Sequence, residues 1–318
     1  MRMKLLLPCL LLCLYSSPGF STGLDDFRKE LSALGAPETA AIPSPPDTTT
    51  IKHAEVDKEA LKEEARSGAE ALLARRNYSR APYTNRKQLM LISEPEEVRL
   101  GIEAYSEILY GARISTDTEK TEMVRQVGDR LAGIANAPPG YEWEFNLIED
   151  PQINAFCLPG GKVAVYSALL PVAEDETGLA VVMGHEIAHA LARHGSERIS
   201  REMVVSLGDR VLKGTLVRRT PETQEAFSRA YKLGMKLCVT LPFSRDQESE
   251  ADHIGLILMA KAGHDPRAAL EFWKRMEAAA TPTDSHLAKY LSAHPGAAAR
   301  IKDIKDWMPE AMKYYKTP

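Results

Sequence analysis

The sequence has few of the features that assign a protein to a class at once. Four cysteines in 318 residues are too few for a fold built on disulfides. A net charge of −4 provides no basic surface, so we expect no nucleic-acid partner. After Tyr15, no stretch reaches the roughly 20 apolar residues that a membrane-spanning helix requires. The remaining composition, 44% hydrophobic and 26% charged, is ordinary for a globular protein.

The first residues are typical of a secretory signal peptide. Met1–Lys4 is positively charged, Leu5–Tyr15 is apolar, and Ser16–Gly23 is polar with small side chains. We therefore predict that residues 1–23 are a signal peptide and that the protein is exported. A lipid anchor at Cys13 in the cell envelope is the alternative, although the preceding residue is bulky where lipidated cysteines follow a small one.

Export would leave Cys157 and Cys238 as the cysteines of the mature chain. In an oxidising compartment two such residues can pair. Their separation cannot be judged from the sequence, so a disulfide and two free thiols both stay open. We do not expect either of them to bind a metal.

Residues 24–84 are predicted to form an N-terminal extension that is helical in part. Leu24–Leu34 has helical spacing, residues 35–50 form a linker rich in proline and threonine, and Val56–Arg76 is a charged, alanine-rich helix. Its apolar stripe is too thin to form a core of its own. Docking on the rest of the chain or on a partner, and a disordered spacer, are both open interpretations.

The segment from Asp175 to Gly195 contains the motif H-E-x-x-H in a helical setting. Because His185 and His189 are four residues apart, both face the same side of the helix. Two imidazoles placed in this way can bind one tetrahedral metal, and Glu186 beside them can act as a base toward a metal-bound water. Gly195 suits the C-terminal cap of this helix.

A hydrolytic metal needs a third protein ligand. The metzincin spacing is absent, because it requires glycine at position 192 and histidine at position 195, where the chain has Ala192 and Gly195. His194 is one residue out of that register.

A second helix, beginning near Ser244, provides the missing carboxylate. Glu248 and Asp252 lie four residues apart on one face of it, whereas Glu250 points to a different side. We assign Glu248 as the third ligand and Asp252 as the acceptor that holds a ligand imidazole in its metal-binding tautomer. An acidic, solvated helix face is the alternative interpretation.

The remaining periodicity predicts an α+β fold that is mainly helical. Two helices come first, and three short strands precede the metal-binding helix. The helices are Glu94–Leu109 and Thr118–Ala135, and the strands lie at 143–147, Ile153–Leu158 and Val163–Leu170. We expect the strands to form a small antiparallel sheet.

Five short matches occur in one order along the chain. They are R-K-Q-L at Arg86–Leu89, N-A-F-x-x-P-G-G at Asn154–Gly161, H-E-I-A-H at His185–His189, S-R-x-x-E-x-E-A-D at Ser244–Asp252 and S-A-H-P-x-x-x-x-R-I at Ser292–Ile301. Together they resemble the gluzincin metallopeptidases of the HtpX, CAAX prenyl protease and OMA type. The chain looks most similar to the soluble periplasmic BepA and LoiP branch, without its tetratricopeptide repeats.

This resemblance implies a zincin-like metallopeptidase domain over residues 85–318 with one zinc ion per chain. It implies that His185, His189 and Glu248 bind the zinc, and that Glu186 is the catalytic base. His294 and Arg300 match family residues proposed to stabilise the tetrahedral oxyanion. A structural role at a helix N-terminus, with Arg300 in a salt bridge, is the alternative for this pair.

The resemblance also implies a substrate and a compartment. In the family, an edge strand pairs with an extended substrate backbone, and Asn154 is the residue we place on that edge, with a buried turn as its alternative. The expected activity is hydrolysis of peptide bonds in unfolded or misassembled envelope proteins, as protein quality control in a periplasm. The outer membrane or its assembly machinery is a further expected contact.

Two other functions remain open. In a latent or chaperone-like zinc protein a fourth ligand, for instance His264 or His286, would close the metal site. The intact base Glu186 argues against a purely structural metal. A hydrolase acting on a non-peptide bond is the third hypothesis, and the N-A-F strand disfavours it.

Overall fold

The structure is a computed structural model that describes residues 77–81, 84–201, 234, 236, 243–279, 285–294 and 297–316. These residues belong to one compact unit, Ala74–Glu202 with Arg219–Pro318. The predicted signal peptide, most of the predicted extension and Cys238 lie outside the described residues. The predicted domain boundaries therefore stay predictions.

The described chain begins with a two-stranded antiparallel sheet. Strand β1 (Asn77–Arg80) pairs with strand β2 (Lys87–Met90), with Asn77 opposite Met90. The helix predicted for the extension, Val56–Arg76, lies outside the described residues and stays a prediction. Strand β1 lies in a part of the extension for which no element was predicted.

Two amphipathic helices follow, as predicted. Helix α1 is Glu94–Gly111, with acidic residues in its first turn, and helix α2 is Thr118–Ile134, capped by the Asp117 side chain on the amide of Lys120 at 3.1 Å. Helix α2 packs closely on the following strand, because a Cβ at Gly128 would lie within 2.4 Å of the Phe145 ring. Any larger residue at this position would push the helix off the sheet.

The three-stranded sheet is mixed, not antiparallel as predicted. Strands β3 (Glu144–Ile148), β4 (Ala155–Leu158) and β5 (Lys162–Tyr166) are arranged in the order β3-β5-β4. The hairpin β4–β5 is antiparallel, and its turn places Gly160 and Gly161 at positive φ. Strand β3 pairs in parallel with the other side of β5. Alternating polarity predicts a strand but not its direction, which is why the sequence did not reveal this pairing.

A short helix, α3 (Leu170–Ala173), leads into helix α4 (Glu176–Leu191), which carries the H-E-x-x-H motif. The Asp175 side chain caps helix α4 by accepting a 2.8 Å hydrogen bond from the Gly178 amide. The helix is buried on all sides from Gly178 to Leu191, with Leu179, Val182 and Met183 fully or almost fully buried.

Helix α4 ends earlier than predicted. Its C-cap is Ala192, and Arg193 adopts a left-handed conformation with φ 56°. Residues 194–201 then form a separate helical segment that includes Gly195. A non-glycine residue is tolerated here because the Arg193 guanidinium is fixed by Glu97 and by the carbonyl of Ile92.

Helix α5 (Arg245–Lys261) begins with a capping box between Ser244 and Gln247. It crosses helix α4 at two glycines, where a Cβ at Gly255 would lie 2.9 Å from the amide nitrogen of His185. Helices α6 (Ala268–Ala279), α7 (Ser285–Ala293) and α8 (Ala297–Ala311) complete the described chain. No helix in these described ranges is both long and apolar enough to cross a membrane. The prediction of a mainly helical α+β fold is confirmed.

Candidate metal centre

Helix α4 brings its two histidines together, as the spacing predicts. His185 and His189 are both buried, and their Nε2 atoms lie 3.0 Å apart. The ring of His189 is stacked on Phe243, with the ring centroids 4.0 Å apart. Two imidazole nitrogens from consecutive helical turns therefore point at one location.

The close crossing of helices α4 and α5 brings Glu248 to the same location. Its two carboxylate oxygens lie 3.4 Å from the Nε2 atoms of His185 and His189, respectively. Burial favours a protonated Glu248, but the neighbouring charges of His294 and Arg300 hold its pKa well below the usual value. An ionised carboxylate is the form that binds a metal.

His185 is held from behind by Asp252, as predicted. Its Nδ1 lies 3.0 Å from Asp252 Oδ1. Asp252 also accepts two hydrogen bonds of 2.6 Å from Arg300, through Nε and one terminal nitrogen. A carboxylate only accepts hydrogen bonds, so it holds a proton of His185 on Nδ1 and leaves Nε2 as the nitrogen that can bind a metal.

His189 contacts His194 through the ring nitrogen that faces away from the metal donors, and no role for His194 was predicted from the sequence. Nδ1 of His189 lies 2.8 Å from Nδ1 of His194, and Nε2 of His194 lies 2.9 Å from Glu250. Burial alone would raise the pKa of Glu250, but hydrogen bonds from His194, Thr84 and Arg86 lower it to about 2. Glu250 does point away from Glu248, as expected, and this direction leads to His194.

The donor set fits a metal ion on the geometry of this site alone. Both Nδ1 atoms are engaged from behind, so the lone pairs on the two Nε2 atoms face each other at 3.0 Å. Such lone pairs repel unless a metal ion or a proton lies between them. Two nitrogens bound to a tetrahedral zinc at ~2.0 Å would be roughly 3.3 Å apart, close to the observed separation. Two imidazoles with one glutamate are a ligand set that occurs in catalytic zinc sites.

His294 is the fourth member of this donor group. Ligand atoms of His185, His189, Glu248 and His294 all lie within 4.8 Å of one another. Nδ1 of His294 lies 3.1 Å from Glu248, and its Nε2 lies 3.6 Å from Glu186. His264 is not a member of the group, and the side chain of His286 is outside the described residues.

Arg300 is buried and engaged with carboxylates. Besides Asp252, its other terminal nitrogen lies 2.9 Å from Glu248 Oε2, and its guanidinium lies 3.6 Å above the ring of Trp273. These contacts match the salt-bridge alternative, and stabilisation of an oxyanion by Arg300 stays a prediction.

Glu186 is the group of the site that has the properties of a base. It is buried next to His185, and its Oε1 accepts no hydrogen bond from the described residues. Burial raises the pKa of Glu186 above its usual value, opposed by the charges of His294 and His185. A carboxylate with a raised pKa and a free oxygen can accept a proton and return it.

A cleft beside the metal site is lined by strand β4. Phe156, Cys157 and Leu158 line it together with Glu186 and His189. Strand β4 is at the end of the strand order, so its outer edge has no strand partner among the described residues. An extended chain could pair there.

Two side chains near this cleft have simpler roles. Asn154 is buried just before strand β4, and its backbone carbonyl accepts a 3.0 Å hydrogen bond from the Tyr166 amide. This hydrogen bond extends the pairing of strands β4 and β5 by one residue, and substrate binding by Asn154 stays a prediction. Cys157 is a free, buried thiol whose pKa is raised by burial and by the nearby Glu186 charge.

Comparison with known proteins places the chain in a family. Residues 118–308 match Peptidase family M48. The chain is 37% identical to "Mitochondrial metalloendopeptidase OMA1" of Schizosaccharomyces pombe, over 72% of this chain and 66% of that protein. It is 29% identical to "Metalloendopeptidase OMA1, mitochondrial" of Homo sapiens, over 73% of this chain and 46% of that protein.

A bacterial relative is more distant. "Beta-barrel assembly-enhancing protease" of Escherichia coli is 28% identical over 68% of this chain and 44% of that protein. The chain thus spans less than half of this relative and of the human one, and just under two thirds of the yeast protein. The matched region contains the whole donor group and the base Glu186. The chain belongs to Peptidase family M48, and the site that it folds is that of a zinc metallopeptidase.

Proposed function

We propose that the protein is a zinc endopeptidase that cleaves unfolded or misassembled proteins of the cell envelope. The observation that carries the proposal is the position of Glu186. It has a free carboxylate oxygen beside three converging metal donors, and it lines a cleft next to strand β4. A purely structural zinc would gain nothing from a base at this place.

In this proposal, Glu186, His294 and Arg300 have separate roles in the hydrolysis of the peptide bond. When bound, zinc would act as a Lewis acid and lower the pKa of a water molecule. Glu186 accepts the proton of the attacking water and passes it to the leaving amine. His294 hydrogen-bonds the oxygen of the scissile carbonyl, and the positive charge of Arg300 supports the negative charge that develops.

The unpaired edge of strand β4 among the described residues supports the proposal that the substrate binds as an extended chain. An unfolded segment added there would form main-chain hydrogen bonds, which depend little on side chains. Most of the backbone of a folded protein is already hydrogen-bonded and offers such a segment less readily. We therefore propose selection by unfolding, with loose sequence preference.

The envelope assignment rests on the sequence of residues 1–23 and on the bacterial relative, whose name refers to β-barrel assembly. The mitochondrial relatives leave the compartment as a separate question. Fractionation of the full chain carrying a C-terminal tag in a Gram-negative host tests it. A shortened chain released by osmotic shock supports export to the periplasm, and a full-length chain in the cytosol contradicts it.

The substrate proposal is tested with one outer-membrane β-barrel protein in two states. The zinc-loaded protein is mixed with the barrel freshly diluted from urea or folded in detergent. Cleavage of the unfolded barrel alone is the expected result, and the Glu186→Gln variant, tested in parallel, excludes a contaminating protease. Equal cleavage of both states, or of neither, contradicts the proposal.

A latent, chaperone-like zinc protein is the second candidate. His294 favours it, because a fourth protein donor within 4.8 Å of the others could close the metal site. The His294→Ala variant separates the two. Loss of kcat with zinc retained supports a role in the reaction, whereas a gain of cleavage supports latency.

A further inference from the structure

We propose that His194 is a positioning residue for His189, and that Glu250 and Arg86 hold it in the tautomer this task requires. This inference rests on His189 being a metal ligand of the proposed peptidase. It assigns a role to R-K-Q-L, a motif that the catalytic chemistry does not use.

The positions of the ring protons can be worked out along the series Arg86, Glu250, His194 and His189, starting from the ion pair of Arg86 with Glu250. Glu250 is paired with Arg86 at 2.7 Å and is therefore ionised, so it can only accept hydrogen bonds. Its contact with Nε2 of His194, 2.9 Å long, requires the His194 proton on Nε2. In the neutral imidazole, Nδ1 of His194 then carries a lone pair.

This lone pair fixes the tautomer of His189. The two Nδ1 atoms of His194 and His189 are 2.8 Å apart, so His189 must donate its Nδ1 proton. Its Nε2 is left unprotonated and points toward the Nε2 of His185 at 3.0 Å. The orientation of His189 is also limited by Phe243, which stacks on its ring. Tautomer and direction are thus both set before any metal binds.

Arg86 anchors the far end of the chain of contacts. Its two terminal nitrogens donate to the two carboxylate oxygens of Glu197 at 2.8 and 2.6 Å, while its Nε donates to Glu250. Thr84 donates a further hydrogen bond to Glu250. Arg86 therefore joins the segment before strand β2 to the helical segment 194–201 and to helix α5.

Water cannot replace this arrangement. His194 is fully buried and Glu250 is almost so. If His194 lost its acceptor nitrogen, no solvent would take the proton of His189, and the ring would be free to rotate or to change tautomer. Outer contacts of this kind change metal affinity by about 10- to 100-fold.

The first test measures zinc affinity by competition with a chelator, so that it does not depend on proteolysis. Leucine at position 194 removes the acceptor at similar size, and asparagine restores an acceptor near the position of Nδ1. We expect His194→Leu to weaken zinc binding by about 10- to 100-fold and His194→Asn to recover most of the loss. Leucine and asparagine variants with equal affinity would contradict a positioning role, and so would a leucine variant that binds as tightly as the parent.

The second variant changes the distant acceptor. Glu250→Gln removes the charge that selects the His194 tautomer, and we expect about tenfold weaker zinc binding. Asp246→Asn is the matched control. It removes one negative charge from the same helix, but at an exposed position. Equal affinities in these two variants would overturn the proposal.

The third test reads the tautomers directly in the parent protein, which removes any dependence on the folding of variants. Long-range proton–nitrogen NMR of the histidine rings, with the zinc-loaded chain, should show protons on Nδ1 of His189 and Nε2 of His194. A His194 protonated on Nδ1 would overturn the proposal, because it could then not accept the proton of His189. If the protein binds zinc in this way but cleaves nothing, the proposed function fails while this inference stands.

Discussion

Gly255 of helix α5 lies against Gly184 of helix α4, so closely that an added Cβ would meet the amide nitrogen of His185 at 2.9 Å. This contact sets the distance between the two helices that carry the metal donors. Glu248 reaches Nε2 of His185 at 3.4 Å only because the backbones approach this far.

The Gly255→Ala variant should therefore damage stability and zinc affinity together. The methyl group forces the helices apart, and we expect the free energy of unfolding to fall by about 1–3 kcal/mol. Zinc affinity should fall as well, because Glu248 moves away from the histidines. Gly133→Ala is the control, since nothing lies within 4 Å of a Cβ there, and it should stabilise by up to ~1 kcal/mol. Urea unfolding and chelator competition measure both effects, and an unchanged zinc affinity in Gly255→Ala would show that the crossing does not set the site.

Substitution of Arg300 should lower the free energy of unfolding, whether or not Arg300 also takes part in the reaction. The Arg300→Gln variant leaves Asp252 and Glu248 buried without their cation, so unfolding should become easier by about 3–5 kcal/mol. Arg300→Lys keeps the charge but cannot form both hydrogen bonds to Asp252, so it should be intermediate. Arg267→Gln, which breaks an exposed ion pair with Asp265, should change little. If Arg300→Lys has normal stability and zinc affinity but a lower kcat, the oxyanion role is the better interpretation.

The ion pair of Glu250 predicts a dependence of stability on pH. The pKa of Glu250 is about 2 in the folded protein, below its ordinary value of 4.5. A depressed pKa contributes stability above the unfolded pKa, and this contribution is lost as the pH falls toward the folded pKa. The stability difference between the parent and Glu250→Gln should thus be full at pH 6 and shrink steadily from about pH 4.5 toward pH 2. Urea unfolding over this range measures it, and a difference that stays constant would argue against the ion pair.

Removing the metal should destabilise the fold. Without a cation the facing lone pairs of His185 and His189 must take up a proton. Burial and the charge of Arg300 lower the pKa of His185, but the hydrogen bonds that His185 donates to Asp252 and Glu248 outweigh them and raise it to about 9. Zinc at 100 times its Kd should stabilise the protein by ~2.7 kcal/mol over the metal-free form. Thermal unfolding with and without a chelator tests this, and His189→Gln, which lacks a donor, should show almost no zinc-dependent shift.

The ligands on regular helices could be predicted from the sequence. Spacing of four residues places His185 with His189, and Glu248 with Asp252, on common helix faces, whatever the tertiary structure. The starts of these two helices near Asp175 and Ser244 could also be predicted, because short polar side chains often precede a helix.

The support behind His189 could not be predicted. Five residues along a continuous helix correspond to a rotation of about 140°, which would point His194 away from His189. The helix instead breaks at Arg193, whose positive φ turns His194 back toward the site. This break depends on the distant partner Glu97, and the sequence of helix α4 contains no sign of it. The parallel pairing of strands β3 and β5 was hidden for the same reason, because it is a tertiary contact.

The most direct measurement of the central claim compares the zinc-loaded protein with its Glu186→Gln variant on unfolded casein. Both proteins should hold one zinc ion per chain, because Glu186 is the base and not a donor. The parent should cleave casein, and the variant should lose at least about 100-fold of that rate. A variant that cleaves as fast as the parent, or a parent that holds zinc and cleaves nothing, would contradict the assignment of this site as a metallopeptidase centre with Glu186 as its base.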